Sequence, residues 1–217
     1  MSADIKFCGL TRPGDAEQAV ALGAAFVGVI FAGGPRALSI ERAGRVLRDV
    51  PASVRRVGVF ADQTTDDIAR TARILGLGVI QLHGGCEPAR IAGLRRVFNG
   101  EIWPVIRASG QDLPARFTEL LQAGDGLLLD AFVPGSLGGT GVTLPWTALG
   151  ANLRGLRGTR RIILAGGLSP ENVAQAISDV APDVVDVSSG VEVSPGIKDH
   201  DRMRAFRDAV THASVPS

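Results

Sequence analysis

Four kinds of residue stand where short apolar runs give way to turns, and each kind has its own chemistry. Cys8 ends such a run in Lys6-Phe7-Cys8-Gly9. A thiol there is either a small buried hydrophobe or a thiolate that accepts a proton, assisted by Lys6 if its ammonium lies close. Asp130 closes Leu127-Leu128-Leu129-Asp130. It either caps the next loop or, partly desolvated by the leucines, keeps its proton and suits a general acid. The third kind is small: Gly166-Gly167 in LAGGLSPENV and Ser188-Ser189-Gly190 in DVSSGVEVSPGIKD. Such residues either make a tight turn and a cap or let backbone N–H groups approach a phosphate. His83, at the end of GVIQLHG, is either a further base or a hydrogen-bonding support.

Other chemistries find less support. The chain has two cysteines, Cys8 and Cys86, with no CxxC pair, which argues against a disulfide framework or a structural zinc site. Two of the three histidines, His200 and His212, fall in the C-terminal helical region, so no metal is expected. The segment LGGTGVTLPW (137–146) is glycine-rich, but neither a P-loop nor a strand-linked GxGxxG accompanies it. Basic and acidic residues nearly cancel, 23 against 22, and without like-charge blocks the charge gives no hint of nucleic acid or a membrane surface, so neither partner is expected. No charged-then-apolar leader and no apolar run of spanning length is recognisable, and a reducing, cytoplasmic location is expected.

The elements that must position these residues can be read from periodicity. With 45% hydrophobic residues among 217, the chain has ample material for a folded core. Eight short, nearly continuous apolar runs recur: IKFCGL (5–10), FVGVIF (26–31), RVGVF (56–60), GVIQLHG (78–84), IWPVIRA (102–108), GLLLDAF (126–132), RIILAGG (161–167) and VVDVSSG (184–190). Runs apolar at every position suit parallel strands buried on both faces. Amphipathic stretches alternate with them, opened by helix-start signals at Ser39, at Thr64 and at Ser169-Pro170-Glu171. Eight strand-then-helix repeats without a Ser/Pro-rich linker predict a single (β/α)₈ barrel domain over 1–217, with an open doubly wound sheet as the alternative. In such a barrel, function gathers at the C-terminal ends of the strands, and the last two loops commonly hold phosphate. The strand ends name Cys8, the loop 31–36, Asp62, His83, Arg107, Asp130, Gly166-Gly167 and Ser188-Ser189-Gly190.

In order and in place, the blocks KFCGLTRPGDA, FVGVIFAGGPRALS, VGVF, QLHG, LLLD with GGTG, LAGGLSPENV and VDVSSGVEVSPGIKD resemble the phosphoribosylanthranilate isomerases of tryptophan biosynthesis. That resemblance covers essentially the whole chain. It implies a cofactor-free Amadori rearrangement of a phosphoribosyl small molecule, with Asp130 as general acid and Cys8 as the base at C2'. It further implies that Arg36 binds the anthranilate carboxylate and that Gly166, Gly167, Ser189 and Gly190 surround the phosphate. The protein would act as a monomer or homodimer.

Four positions at three places depart from the resemblance: Gly34 replaces the Ser before Pro-Arg, Asp62 replaces an Asn, and Leu144-Pro145-Trp146 replaces Phe-Asp-Trp. Asp62 would oppose an anionic substrate unless it points away or is paired. Two other functions remain open at this level. One is a different phosphosugar aldose-ketose isomerase on the same barrel, a chemistry that usually uses two carboxylates; the other is a phosphosugar-binding protein without catalysis.

Overall fold

A computed structural model describes residues 3–107, 113, 115–130, 146–154 and 160–213. The segment 137–145, with Leu144 and Pro145, lies outside the described residues. Eight parallel strands close into a barrel in sequence order. They are β1 (Asp4–Phe7), β2 (Phe26–Ile30), β3 (Arg55–Phe60), β4 (Val79–Leu82), β5 (Glu101–Arg107), β6 (Gly126–Asp130), β7 (Arg161–Ala165) and β8 (Val184–Val187). The ring is closed by β1, which pairs with β2 on one side and β8 on the other, Lys6 standing opposite Asp186. A helix follows each strand, from α1 (Pro13–Ala21) through α2 (Ile40–Leu47), α3 (Thr65–Leu75), α4 (Pro88–Arg95), α5 (Phe117–Ala123), α6 (Trp146–Arg154) and α7 (Val173–Val180) to α8 (His200–His212). The open-sheet alternative is thereby excluded.

Every expected strand is present, but several end earlier than the apolar runs suggest. Backbone conformation at glycine accounts for two of these endings. Gly9, at φ +70°, turns the chain just after Cys8, and Gly166 and Gly167, at +91° and +66°, end β7 at Ala165. Only glycine adopts such angles without strain. Ser39 and Thr64 cap α2 and α3 by accepting from Arg42 N and Asp67 N, as expected. The helix start assigned to Ser169 shifts instead to α7 at Val173. Asn172 Oδ1 accepts from Ser169 N at 2.8 Å while its amide donates to Gly167 O, holding residues 169–172 in a turn. The stretch after β8, read from sequence as a loop, contains a 3₁₀ turn (Ser189–Val191) and a hairpin of β9 (Glu192–Ser194) and β10 (Ile197–Lys198).

The two faces of each strand carry different layers. Outward-facing Leu127, Leu129, Ile80, Leu82, Val27 and Val29 join the buried cluster shared with the helices. Inward-facing Phe26, Val57, Val79, Trp103, Leu128, Ile163 and Val184 fill the barrel's lower interior. Period-two alternation thus places Leu128 inside and its two leucine neighbours outside. Phe26 and Trp103 meet edge-on at 4.9 Å between ring centroids. Below them Glu101 pairs with Arg55, approaches Arg161 at 3.8 Å and accepts from Trp103 Nε1 at 2.8 Å, so charge seals the end opposite the strand termini.

Trp103 therefore fills the barrel and satisfies Glu101 at once. Trp103→Ala is expected to lower stability by about 3–5 kcal/mol, read as a reduced midpoint in urea denaturation. A loss under about 1 kcal/mol would mean that the interior collapses around the gap.

Candidate active site

Above the apolar layer the inward positions become polar, because the same alternation continues up each strand. On β1 the inward residue is Lys6 and then, two residues on, Cys8. On β8 it is Asp186 and then Ser188, on β4 Gln81 and then His83, and on β6 Leu128 and then Asp130. Together with Gly166, Gly167 and Ser189, all of these except Lys6 line a cavity of about 340 Å³ at the C-terminal end of the barrel. The expected strand-end residues Cys8, His83, Asp130, Gly166, Gly167, Ser188 and Ser189 are thus brought together, along with Ala32 and Gly33. Arg36, Asp62, Arg107 and Gly190 are not among the lining residues. Asp62 is exposed and sits beside Gly84, so the departure at this position places no carboxylate on the cavity wall.

At the floor of the cavity Lys6 Nζ donates to Asp186 Oδ2 at 2.8 Å, both side chains being buried. Gly28 makes room for this arrangement. A β-carbon there would lie 3.0 Å from Cys8 Sγ and 3.3 Å from Lys6 Nζ. The expectation that Lys6 eases ionisation of Cys8 meets a competing effect. Burial pushes the Cys8 thiol above its ordinary value, and the opposing pull of the Lys6 ammonium does not overcome it. Nearby Asp186 adds to the upward push. The Lys6 ammonium itself stays charged despite burial, because Asp186 and Cys8 hold its pKa above the usual value.

Asp130 matches the reading of a desolvated carboxyl. Burial raises its pKa, against smaller lowering effects from His83 and Arg107. The His83 Nε2 lies 3.7 Å from Asp130 Oδ2, too far for a hydrogen bond, and burial lowers the imidazole pKa, so His83 is neutral at neutral pH. A neutral imidazole at that distance can support the Asp130 carboxyl without bringing a fixed charge of its own.

The loops after β7 and β8 pack backbone to backbone. A β-carbon on Gly190 would fall 1.9 Å from Leu168 O, whereas one on Gly167 would meet nothing within 4 Å. Gly190 therefore fixes how closely the loops approach, and Gly167 leaves open space beside the cavity. Buried Gln81 Oε1, Asp186 Oδ1 and Ser188 Oγ have no hydrogen-bond partner among the described residues. Unpaired buried acceptors are costly, and in a cavity wall they mark where a ligand's hydroxyl groups would bind. Arg36 lies at the rim with its guanidinium forked on Glu192, and Lys198 pairs with the same carboxylate.

Sequence reasoning did not single out Gln81, Asp186, Glu192 or Lys198. Two-residue spacing from His83 and Ser188 would have found the first two. Among the described residues no group of three or more His, Cys, Asp or Glu side chains is placed to hold a metal ion, and no helix is long and apolar enough to cross a membrane.

The raised pKa of Asp130 has a consequence for stability. A carboxyl held above its unfolded value of 3.8 contributes stability fully below that pH and loses it as pH rises through the folded value. Asp130→Asn should therefore melt at a higher temperature than the parent at neutral pH, and the gap should close as pH falls below 3.8. Calorimetry against pH checks this; a variant less stable at neutral pH would show that the ionised carboxylate is well satisfied.

Comparison with known proteins identifies the arrangement. The family model described as N-(5'phosphoribosyl)anthranilate (PRA) isomerase matches residues 5–209. An N-(5'-phosphoribosyl)anthranilate isomerase from Chromohalobacter salexigens is 45% identical over 217 residues, covering 98% of this chain and 96% of the relative. The phosphoribosyl anthranilate isomerase of Thermotoga maritima superposes with a TM-score of 0.86 at 34% identity, covering 96% of this chain and 98% of the other. A further isomerase structure, in complex with reduced 1-(o-carboxyphenylamino)-1-deoxyribulose 5-phosphate, superposes at 0.84 with 32% identity over the same shares of the two chains.

Proposed function

The chain belongs to the N-(5'-phosphoribosyl)anthranilate isomerase family, and from that premise we propose how its residues carry the reaction. It is an enzyme of tryptophan biosynthesis that converts N-(5'-phosphoribosyl)anthranilate to 1-(2-carboxyphenylamino)-1-deoxyribulose 5-phosphate. The observation that carries the assignment of roles is one cavity walled by both a thiol and a carboxyl, with glycine loops at its edge.

Asp130, in the protonated form that burial favours, gives its proton to the furanose ring oxygen. The C1'–O bond breaks as the nitrogen lone pair moves in, leaving a Schiff base and an Asp130 carboxylate. Cys8, as thiolate, then takes the C2' proton, and the C–H electrons form an enolamine with a neutral amine. The enolamine tautomerises to the ketone by losing the C2' hydroxyl proton and gaining one at C1'. The net result is one proton moved from Asp130 to Cys8, whose return through solvent restores both residues, and the chemistry calls for no redox step. Because the free thiol is held above its ordinary value, only a minor share of the protein carries the reactive thiolate at neutral pH.

The remaining groups divide the substrate between them. Gly166, Gly167 and Ser189, with Gly190 fixing the spacing of the loops, suit the phosphate. Gln81 Oε1 and Asp186 Oδ1 suit the sugar hydroxyls, whose donors they lack. Arg36 suits the anthranilate carboxylate, since a planar guanidinium matches a carboxylate fork. Both cysteines are free, which fits a reducing cytoplasm.

Turnover, followed as loss of substrate fluorescence, tests the reading. Cys8→Ala and Asp130→Asn should each lower kcat by about 10²–10⁴-fold with circular dichroism unchanged. Full activity in either variant would remove that residue from the mechanism, and a folded parent that binds the substrate without converting it would contradict the enzymatic assignment.

A further inference from the structure

Arg36 is held by one edge of its guanidinium. Nε donates to Glu192 Oε1 at 2.9 Å and to Oε2 at 3.1 Å, and Nη2 donates to Oε2 at 2.6 Å. Nη1 donates no hydrogen bond among the described residues, so the other edge is left for a ligand. A guanidinium has two such forks, and here one is already filled.

Glu192 is itself fixed. Its side chain is buried, and Oε1 also accepts from Lys198 Nζ at 2.9 Å, Lys198 being buried in turn. Lys198 donates at the same time to Ser188 O at 3.0 Å, which ties the charge cluster to a residue of the cavity wall. Two cations flank one carboxylate, so the cluster keeps one net positive charge. The stem of Arg36 lies flat over Gly9, where a β-carbon would sit 2.7 Å from Arg36 Cδ and 2.9 Å from Ser188 Oγ. This packing sets Arg36 against the residue that follows Cys8.

We propose that Glu192, anchored by Lys198, is a positioning residue that holds the Nε–Nη2 edge of Arg36 and thereby aims its Nη1 edge at the substrate carboxylate. The inference rests on the reading that Arg36 binds that carboxylate. Arg36 needs such a hold because its own loop contains Gly33 and Gly34, both at positive φ, which leave the chain little intrinsic preference for one path. Two hands on Glu192 also explain why it stays ionised although buried: the hydrogen bonds from Arg36 and Lys198 outweigh burial.

Steady-state kinetics on phosphoribosylanthranilate test the inference. Glu192→Gln should raise KM roughly tenfold while kcat stays within about threefold, the pattern of lost uniform binding. Competitive inhibition by inorganic phosphate, which reads the glycine end of the site, should be unchanged. In an Arg36→Met background, itself raised in KM, Glu192→Gln should add nothing, because its effect passes through Arg36. If Glu192→Gln does not fold, Glu192→Gln with Lys198→Met removes the buried charges together and is expected to behave in the same way.

An unchanged KM overturns the inference, as does an additive double variant or an equal weakening of phosphate inhibition. A lowered KM overturns it too, since Glu192 would then be a competitor for Arg36. Absence of turnover in the parent would instead sink the functional reading, which keeps the two failures apart.

Discussion

Removal of water from the upper barrel interior governs the chemistry of this protein. A (β/α)₈ barrel fills its interior with side chains, and here the fill changes from apolar to polar between one layer and the next. Phe26, Trp103, Leu128, Ile163 and Val184 make a dry floor, and directly above it stand Lys6 and Asp186 on neighbouring strands. An isolated charge at that depth would be prohibitive, so the two occur as a pair at 2.8 Å. A buried pair of this kind is weak evidence for added stability. Its effect is local: it sets a fixed cation and a fixed anion under the only thiol that lines the cavity among the described residues.

Burial then acts on Cys8 and Asp130 in the same direction, since each has a neutral protonated form and a charged deprotonated one. For Asp130 this is the form that donates a proton, and burial shifts the balance toward it. For Cys8 it is the wrong form for a base. Two groups pushed the same way thus serve opposite roles with unequal readiness, and the ammonium of Lys6 limits the penalty on the thiolate. Around the rim the same constraint explains the ionised Glu192. It survives burial only because Arg36 and Lys198 both donate to it.

The fold was largely legible because strand runs in a parallel barrel are nearly continuous in apolar character and are bounded by glycine, aspartate or proline. What periodicity missed were the strand ends, set at Gly9 and Gly166 by backbone angles, and the short hairpin, whose strands of three and two residues carry no period. Among site residues, Cys8 and Asp130 were legible as polar residues at the ends of apolar runs. Asp186 was within reach of two-residue spacing from Ser188, but its pairing with Lys6 required the register of β1 on β8, which no single run contains. The partnership of Arg36 with Glu192 spans 156 positions and joins the loop after β2 to strand β9, so neither residue's neighbours announce it. The sign of the Cys8 shift was also beyond sequence, because it depends on how deeply the thiol is buried and on Asp186 having already claimed the Lys6 ammonium.

The central claim is that burial, rather than the neighbouring lysine, sets the ionisation of Cys8. The direct measurement is the rate of Cys8 alkylation by iodoacetamide against pH in a Cys86→Ser protein, with modification located by mass spectrometry. The account predicts an inflection above the ordinary thiol value of 9.0. An inflection below that value would show that Lys6 dominates and would contradict the account.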